Sequence, residues 1–188
     1  MNKKIKILIG CIAGGLVAAA IAVVFIVIPL AQQGAVNARY EEAMRLIDAS
    51  KYEDSNYKYR QGLDILIELN SDGFDIQDEI TEHRYYLANE NFKAGYYTSA
   101  IADLELIQDY KDSYALLQEC WYLAGIKALY SGNIKAYEYF EQPILKGYKD
   151  SAQFAYEARE FNFMYWNSYD EYYERLEEYR KLLENFQK

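Results

Sequence analysis

The chain has 188 residues, a hydrophobic fraction of 52% and a formal net charge of −9. One histidine and two cysteines are too few for a zinc cluster, a disulfide framework or a Cys/His nucleophile pair. The acidic balance disfavours nucleic-acid binding, since phosphate groups are bound by clustered lysine and arginine. No glycine-rich phosphate loop or known catalytic motif is present, so we expect neither an enzyme nor a cofactor or metal site.

The first 36 residues differ sharply from the rest of the chain. They contain three lysines and no acidic residue, whereas residues 37–188 have a net charge of −12 and all 21 tyrosines. The segment 7–31 has no charge and, at about 1.5 Å per residue, is long enough to span a hydrocarbon core of roughly 30 Å. We therefore expect a tip over 1–6, a transmembrane helix over 7–31 and a linker over 32–36.

The lysines predict how this segment lies in the membrane. Lys3, Lys4 and Lys6 immediately precede it, and positive residues favour the cytoplasmic side. The expected arrangement is a single-pass plasma-membrane protein with a cytoplasmic amino terminus and an extracytoplasmic domain. Two alternatives remain open: cleavage of the segment as a signal peptide, and lipid attachment at Cys11, which follows a lipobox-like Leu8-Ile9-Gly10.

Small residues recur along one face of the expected membrane helix. They are Gly10, Gly14, Ala18 and Ala22, spaced four residues apart. Small side chains let two helix backbones approach closely in lipid. The pattern makes this face a candidate for self-association and a homodimer, although membrane helices are also rich in glycine and alanine in general.

The region after the linker contains an internal repeat. Tyr-Lys-Asp-Ser occurs at 110–113 and again at 148–151, and Tyr-Leu-Ala occurs at 86–88 and again at 122–124. A repeat of this length indicates stacked helix hairpins. Turn residues and apolar spacing predict helices near 37–49, 54–70, 75–93, 97–108, 111–130, 133–142, 150–166 and 169–186. Asp112-Ser113 and Asp150-Ser151 are expected to cap helix starts, at about 1 kcal/mol each.

Two stretches resemble the tetratricopeptide-repeat (TPR) family. They are Leu87-Ala88…Ala100…Leu104 and Leu123-Ala124…Ala136…Phe140, which match the small and large apolar positions of that repeat. The Tyr-Lys-Asp-Ser element is similar to a divergent repeat of bacterial membrane-anchored proteins. The resemblance implies an all-α fold, in which residues 37–188 form a TPR-like solenoid of helix hairpins, and a role as a protein-binding scaffold.

The last predicted helix has features of a terminal cap. Its apolar residues fall at helical spacing, and we expect them to cover the apolar face of the preceding repeat. These residues are Tyr169, Tyr172, Tyr173, Leu176, Leu183 and Phe186. Opposite charges four residues apart, Glu171 with Arg175 and Glu177 with Lys181, are placed to form ion pairs.

Tyrosine is unusually abundant and suggests a recognition surface. Tyrosine and tryptophan offer large, rigid contact areas with a polar tip, although they also pack between helices. The candidates for a partner-binding surface are Tyr85, Tyr96, Tyr97, Trp121, Tyr130, Tyr165 and Trp166. The expected function is a non-catalytic, membrane-tethered protein–protein interaction module. The alternatives are a self-associating structural component of a membrane complex and an extracytoplasmic binder of a ligand or cell-surface polymer.

Overall fold

The computed structural model describes residues 28–53, 56–133, 135–167 and 169–186. Within these ranges every regular element is helical, which confirms the expected all-α class. The helices are α1 (Ile28–Glu53), α2 (Asn56–Ser71), α3 (Gln77–Lys93), α4 (Tyr97–Leu104), α5 (Ser113–Tyr130), α6 (Tyr137–Phe140), α7 (Ser151–Asn167) and α8 (Tyr169–Phe186), with a 3₁₀-helix at Pro143–Leu145.

The chain divides between Ile76 and Gln77 into two compact units. In the first unit, α1 and α2 pack against each other. Their contact is close at Gly62, where an added Cβ would lie 2.6 Å from the backbone oxygen of Ala43. The buried side chains around this contact recur at helical spacing: Ala43, Ile47, Tyr59, Leu63, Leu66 and Leu69.

Helix α1 begins before the position that the composition suggests. Residues 32–36, which the sequence predicts as a linker, are helical. Most of the expected membrane span lies outside the described residues, and so do Gly10, Gly14, Ala18, Ala22 and Cys11. None of the helices in the described ranges has the length and apolarity needed to cross a bilayer.

The second unit consists of three successive helix pairs: α3 with α4, α5 with α6, and α7 with α8. Each helix packs against the next one in the chain, and α8 also packs back against α5. The buried core is aliphatic near the first pair, with Leu87 and Leu104, and becomes aromatic near the third. There, the Phe140 and Phe154 rings stack with centroids 5.5 Å apart.

Glycines end the first helix of two pairs by the same backbone turn. Gly95 and Gly132 have φ values of +74° and +68°, which glycine adopts at little steric cost. The amide of the following residue then donates back into the helix, from Tyr96 to the carbonyl of Asn91 at 2.8 Å and from Asn133 to that of Ala128 at 2.9 Å. The two turns lie 37 residues apart.

The second helices of the first two pairs are shorter than predicted. Helix α4 ends at Leu104 instead of residue 108, and α6 spans only Tyr137–Phe140 instead of 133–142. After α6, Pro143 opens the 3₁₀-helix, because proline has no amide hydrogen to continue the α-helical pattern. The chain after each short helix makes the turn that contains the repeated tetrapeptide.

Helix α8 is placed as the sequence suggests, and its buried face differs from the prediction at Tyr173 and Tyr179. The side chains of Tyr169, Tyr172 and Phe186 lie outside the described part of the structure. Leu176 and Leu183 pack against the core as expected, whereas Tyr173 is 49% exposed. Tyr179, which the predicted stripe omits, is the most deeply buried large side chain of this helix. The ion pairs are Arg175–Glu178, Arg180–Glu177 and Arg180–Glu184, instead of the two predicted pairs.

Candidate functional site

The two Tyr-Lys-Asp-Ser segments form the same backbone turn. In the first, the amide of Tyr110 donates to the carbonyl of Ile107 at 2.9 Å, and the amide of Ser113 donates to that of Tyr110 at 3.0 Å. The second repeats both bonds 38 residues later, at 2.9 and 3.1 Å. Lys111 and Lys149 have φ values of +48° and +41°, in a region that disfavours side chains other than those of glycine, asparagine and aspartate.

The lysine and tyrosine of the first turn hold a glutamate on α3. Lys111 Nζ donates to both carboxylate oxygens of Glu82 at 2.9 Å, and the Tyr110 hydroxyl donates to the same carboxylate. The ammonium lies 4.7 Å from the ring centroid of Tyr85 and 4.8 Å from that of Tyr110. We call this group of four side chains the first clamp.

A second clamp repeats this arrangement on α5. Lys149 Nζ donates to the two oxygens of Glu119 at 2.7 and 2.6 Å, and Tyr148 also donates to it. The ammonium lies 4.9 Å from the Tyr122 ring and 5.1 Å from the Tyr148 ring. Each clamp therefore joins the turn that ends a helix pair to the first helix of that pair.

The electrostatics of the clamps favour a charged carboxylate at Glu82 and neutral phenols at Tyr122 and Tyr148. Hydrogen bonds from Tyr110 and then Lys111 hold the pKa of Glu82 below its ordinary value. Burial, followed by the neighbouring Glu119 carboxylate, raises the pKa of Tyr148. Burial raises the pKa of Tyr122 to about 12. These groups keep one protonation state around neutral pH, as expected of a structural contact.

A third glutamate continues the series on α7. Glu157 accepts a hydrogen bond from the Tyr179 hydroxyl of α8 at 3.2 Å. Burial, with the Glu157 charge as the next cause, raises the pKa of Tyr179. The glutamates that accept a tyrosine hydroxyl are thus 37 and then 38 residues apart, and the third tyrosine comes from α8 instead of a Tyr-Lys-Asp-Ser turn.

The tetrapeptide contributes little side-chain capping, contrary to the sequence-based expectation. Asp112 occupies the N-cap position of α5 but makes no side-chain bond to the helix amides. Its carboxylate instead accepts a hydrogen bond from Tyr85. The Ser151 hydroxyl donates to the carbonyl of Tyr148 at 2.6 Å, while Ser113 Oγ is buried without a hydrogen-bond partner. The tetrapeptide chiefly anchors the turn through tyrosine and lysine.

The register of α5 differs by one residue from the register that the match to the TPR pattern predicts. The ring of Phe140 packs over Gly125, where an added Cβ would lie 2.5 Å from the ring. The sequence pattern assigned this small position to Ala124, which instead lines a surface hollow. Gly125 lies 37 residues after Ala88, the same interval that separates Glu119 from Glu82.

Two hollows lie along one face of α5. The first has a volume of about 380 Å³ and is lined by Glu105, Gln108, Tyr114, Leu117, Trp121, Gln142, Pro143 and Ile144. We call it the Trp121 hollow. The second, of about 270 Å³, is lined by Gly95, Tyr96, Tyr97, Thr98, Ser99, Ala124, Lys127, Ala128, Ser131, Asn133 and Tyr139.

A ring pair joins the two hollows. Trp121 lines the first and Tyr139 the second, and their ring centroids are 5.9 Å apart. On α5, Tyr114, Leu117 and Trp121 line the first hollow at helical spacing. Ala124 and Ala128 continue the same face into the second hollow. The face thus changes from large to small side chains along the helix.

The first helix pair fills the corresponding positions differently. Arg84 and Asp103, which precede Trp121 and Tyr139 by 37 and 36 residues, form an ion pair at 3.2 Å. The Asp103 side chain is 1% exposed and that of Arg84 is 15% exposed. Because an ion pair serves the first repeat, the repeat fold does not require two aromatic rings at these positions.

The structure brings together three of the predicted surface residues. Tyr96, Tyr97 and Trp121 line the two hollows, although Tyr97 is only 4% exposed and serves mainly as core. Tyr85 belongs to the first clamp, and Tyr130 is exposed at the end of α5 without lining either hollow. Tyr165 and Trp166 lie on α7, but their side chains are outside the described part of the structure.

Most residues of the hollows were not predicted from the sequence, and these include Glu105, Tyr114 and Tyr139. The spacing of Tyr114, Leu117 and Trp121 on one helical face was visible in the sequence, whereas Tyr139 reaches Trp121 from another helix. In the described ranges, no cluster of three His, Cys, Asp or Glu residues is arranged to hold a metal ion.

Comparison with known proteins gives no relative for this arrangement. No protein-family model, curated protein sequence or solved structure matches the chain. The function must therefore be argued from the site itself.

Proposed function

We propose that this chain is a non-catalytic, membrane-tethered protein–protein interaction module that resembles TPR scaffolds and binds a partner along α5. The observation that supports this proposal most directly is the aromatic face of α5. Tyr114 is 49% exposed, and Trp121 lines the same hollow at the ring pair with Tyr139. Tyrosine and tryptophan in surface hollows are the side chains that contribute most to protein interfaces.

The clamps support the same proposal because they hold the helix that carries this face in a fixed position. The second clamp ties the turn before α7 to Glu119, only two residues from Trp121 on α5. Gln118 donates to the carbonyl of Ile144 at 2.8 Å and ties α5 to the wall of the Trp121 hollow. A surface on packed helices is already ordered, so it loses less conformational entropy when a partner binds.

The tether is the part of the proposal that depends on sequence alone. Residues 7–31 would cross the membrane, with the amino terminus in the cytoplasm and the helical units outside. If so, the full chain stays in the membrane fraction after alkaline carbonate extraction. Protease added to intact cells should remove the helical units and spare a tag at the amino terminus. Release of a shortened, soluble chain would instead indicate cleavage.

Site-specific photo-crosslinking in intact membranes tests the interaction. A photoreactive amino acid at Tyr114 should give a discrete adduct with another protein, and the Trp121→Ala change should abolish it. Tyr156, which is 68% exposed on α7 and outside both hollows, is the matched control position. Equal labelling at both positions, or an adduct insensitive to Trp121→Ala, would contradict a binding surface on α5.

A further inference from the structure

We infer that the Trp121 hollow binds an arginine or lysine side chain of a partner polypeptide. This inference rests on the proposed function, since it names the chemical group that a protein partner inserts. The aromatic lining, the single carboxylate and the negative charge of the second unit support it.

The lining of the hollow suits a cation. Trp121 and Tyr114 provide aromatic surfaces, and tryptophan is the ring that attracts cations most strongly. The same unit already uses tyrosine rings in this way, with ammonium groups 4.7 to 5.1 Å from ring centroids in both clamps. None of the eight residues that line the Trp121 hollow is lysine or arginine.

The charge of the hollow points to the same ligand. Glu105 is its only charged lining residue, and its exposed carboxylate forms no salt bridge within the described residues. The second unit, residues 77–188, has 20 acidic and 12 basic residues and thus a net charge of −8. This field attracts a basic partner and repels an acidic one.

The polar side chains of the hollow favour a polar ligand. Glu105, Gln108 and Gln142 line it, and none of the lining residues is basic. A purely apolar segment would desolvate Glu105, Gln108 and Gln142 without replacing their hydrogen bonds, which is unfavourable.

Peptide selection with the full chain tests this inference. The full chain in mild detergent is incubated with a phage-displayed library of random peptides, and the bound peptides are sequenced. We expect enrichment of an arginine or lysine next to apolar residues. Trp121→Ala should abolish this enrichment. If that variant does not fold, as judged by its circular dichroism, Tyr114→Ala replaces it, because Tyr114 is half exposed.

Calorimetry on the best-enriched peptide then tests the role of Glu105. Glu105→Gln should weaken binding about fivefold at low salt, the effect of one partly exposed ion pair, and less at high salt. Glu171→Gln, an exposed carboxylate on α8 outside the hollow, is the matched control and should leave the dissociation constant unchanged.

The outcomes separate the two proposals. Enrichment of acidic or uncharged peptides that still require Trp121, or an unchanged affinity in Glu105→Gln, would overturn this inference and leave the interaction module standing. The absence of any Trp121-dependent peptide would contradict both the cation site and a peptide-binding role for this face.

Discussion

Lys111 and Lys149 occupy backbone positions that normally favour glycine. The structure explains why lysine is present: each ammonium contacts two tyrosine rings and both oxygens of a glutamate. A positive φ at such a residue costs of order 1–2 kcal/mol, and these contacts offset it. The tetrapeptide therefore recurs because its tyrosine and lysine bind a carboxylate on the first helix of the preceding pair.

The two clamps should differ in their contribution to stability. The Glu119 side chain is 17% exposed, whereas that of Glu82 is 55% exposed, and charged hydrogen bonds are worth more when shielded from water. Glu119→Ala should lower the free energy of unfolding by about 1–3 kcal/mol, and Glu82→Ala should have a smaller effect. Urea unfolding of the full chain in mild detergent, followed by circular dichroism, measures both. Equal losses would contradict this ranking.

Acid should weaken the first clamp. Its hydrogen bonds hold the pKa of Glu82 below the ordinary value of 4.5. The resulting stabilisation is therefore present above that value and is lost as the pH falls through the lower pKa of the folded state. The melting temperature of Glu82→Gln should approach that of the wild type as the pH falls below 4.5. A constant difference between the two proteins across this range would show that ionisation of Glu82 is not involved.

At the scale of helices, Gly125 marks a point of close packing in the second unit. An added Cβ would meet three atoms of the Phe140 ring at 2.5 to 2.8 Å. The ring is 3% exposed and touches Tyr122 and Phe154, so it has little room to move. Overpacking of this kind outweighs the gain in helix propensity that alanine normally brings.

Gly125→Ala should therefore destabilise the protein, by about 1–3 kcal/mol. Gly34→Ala on α1 is the matched control, because no atom lies within 4 Å of the added Cβ. The control should be neutral or stabilising by up to about 1 kcal/mol. Chemical denaturation of the two variants side by side measures the difference, and a stabilised Gly125→Ala protein would contradict the close packing of Phe140.

The sequence predicts the helices better than it predicts their contacts. Apolar spacing and turn residues locate the helices of the second unit, with errors mainly at the ends of α4 and α6. The register of α5 was missed because Ala124 and Gly125 are adjacent and both small. One residue of shift rotates a helix face by about 100°, which separates the position under the Phe140 ring from one that lines a hollow.

The candidate site could be predicted only in part for the same reason. Tyr96 and Trp121, which the sequence predicts as surface aromatic residues, line the hollows. The glutamates of the clamps and Glu105 were not predicted, because exposed helices carry many carboxylates and only tertiary contacts distinguish these few. Whether an aromatic residue becomes core, like Tyr97, or surface, like Tyr114, depends on the neighbouring helix.

At the scale of the whole second unit, α8 covers the core on two sides. It packs on both α5 and α7, and its Tyr179 hydroxyl binds Glu157 at 3.2 Å. The Tyr179 ring also packs edge-on against Phe154, with centroids 6.0 Å apart. One tyrosine of α8 therefore supplies both a hydrogen bond and ring contacts, as Tyr148 of the second turn does for Glu119 and Tyr122.

Tyr179 should be the residue on which the packing of α8 against the core depends. Tyr179→Ala should lower the free energy of unfolding by about 3–5 kcal/mol, because it removes a ring that is 2% exposed. Tyr179→Phe keeps the ring and loses only the bond to Glu157, so its cost should be about 1 kcal/mol. Tyr173→Ala, on the exposed face of the same helix, should change stability by less than about 0.5 kcal/mol. Denaturant unfolding of the three variants measures these values. Equal effects of Tyr173→Ala and Tyr179→Ala would mean that α8 does not cover the core of the second unit.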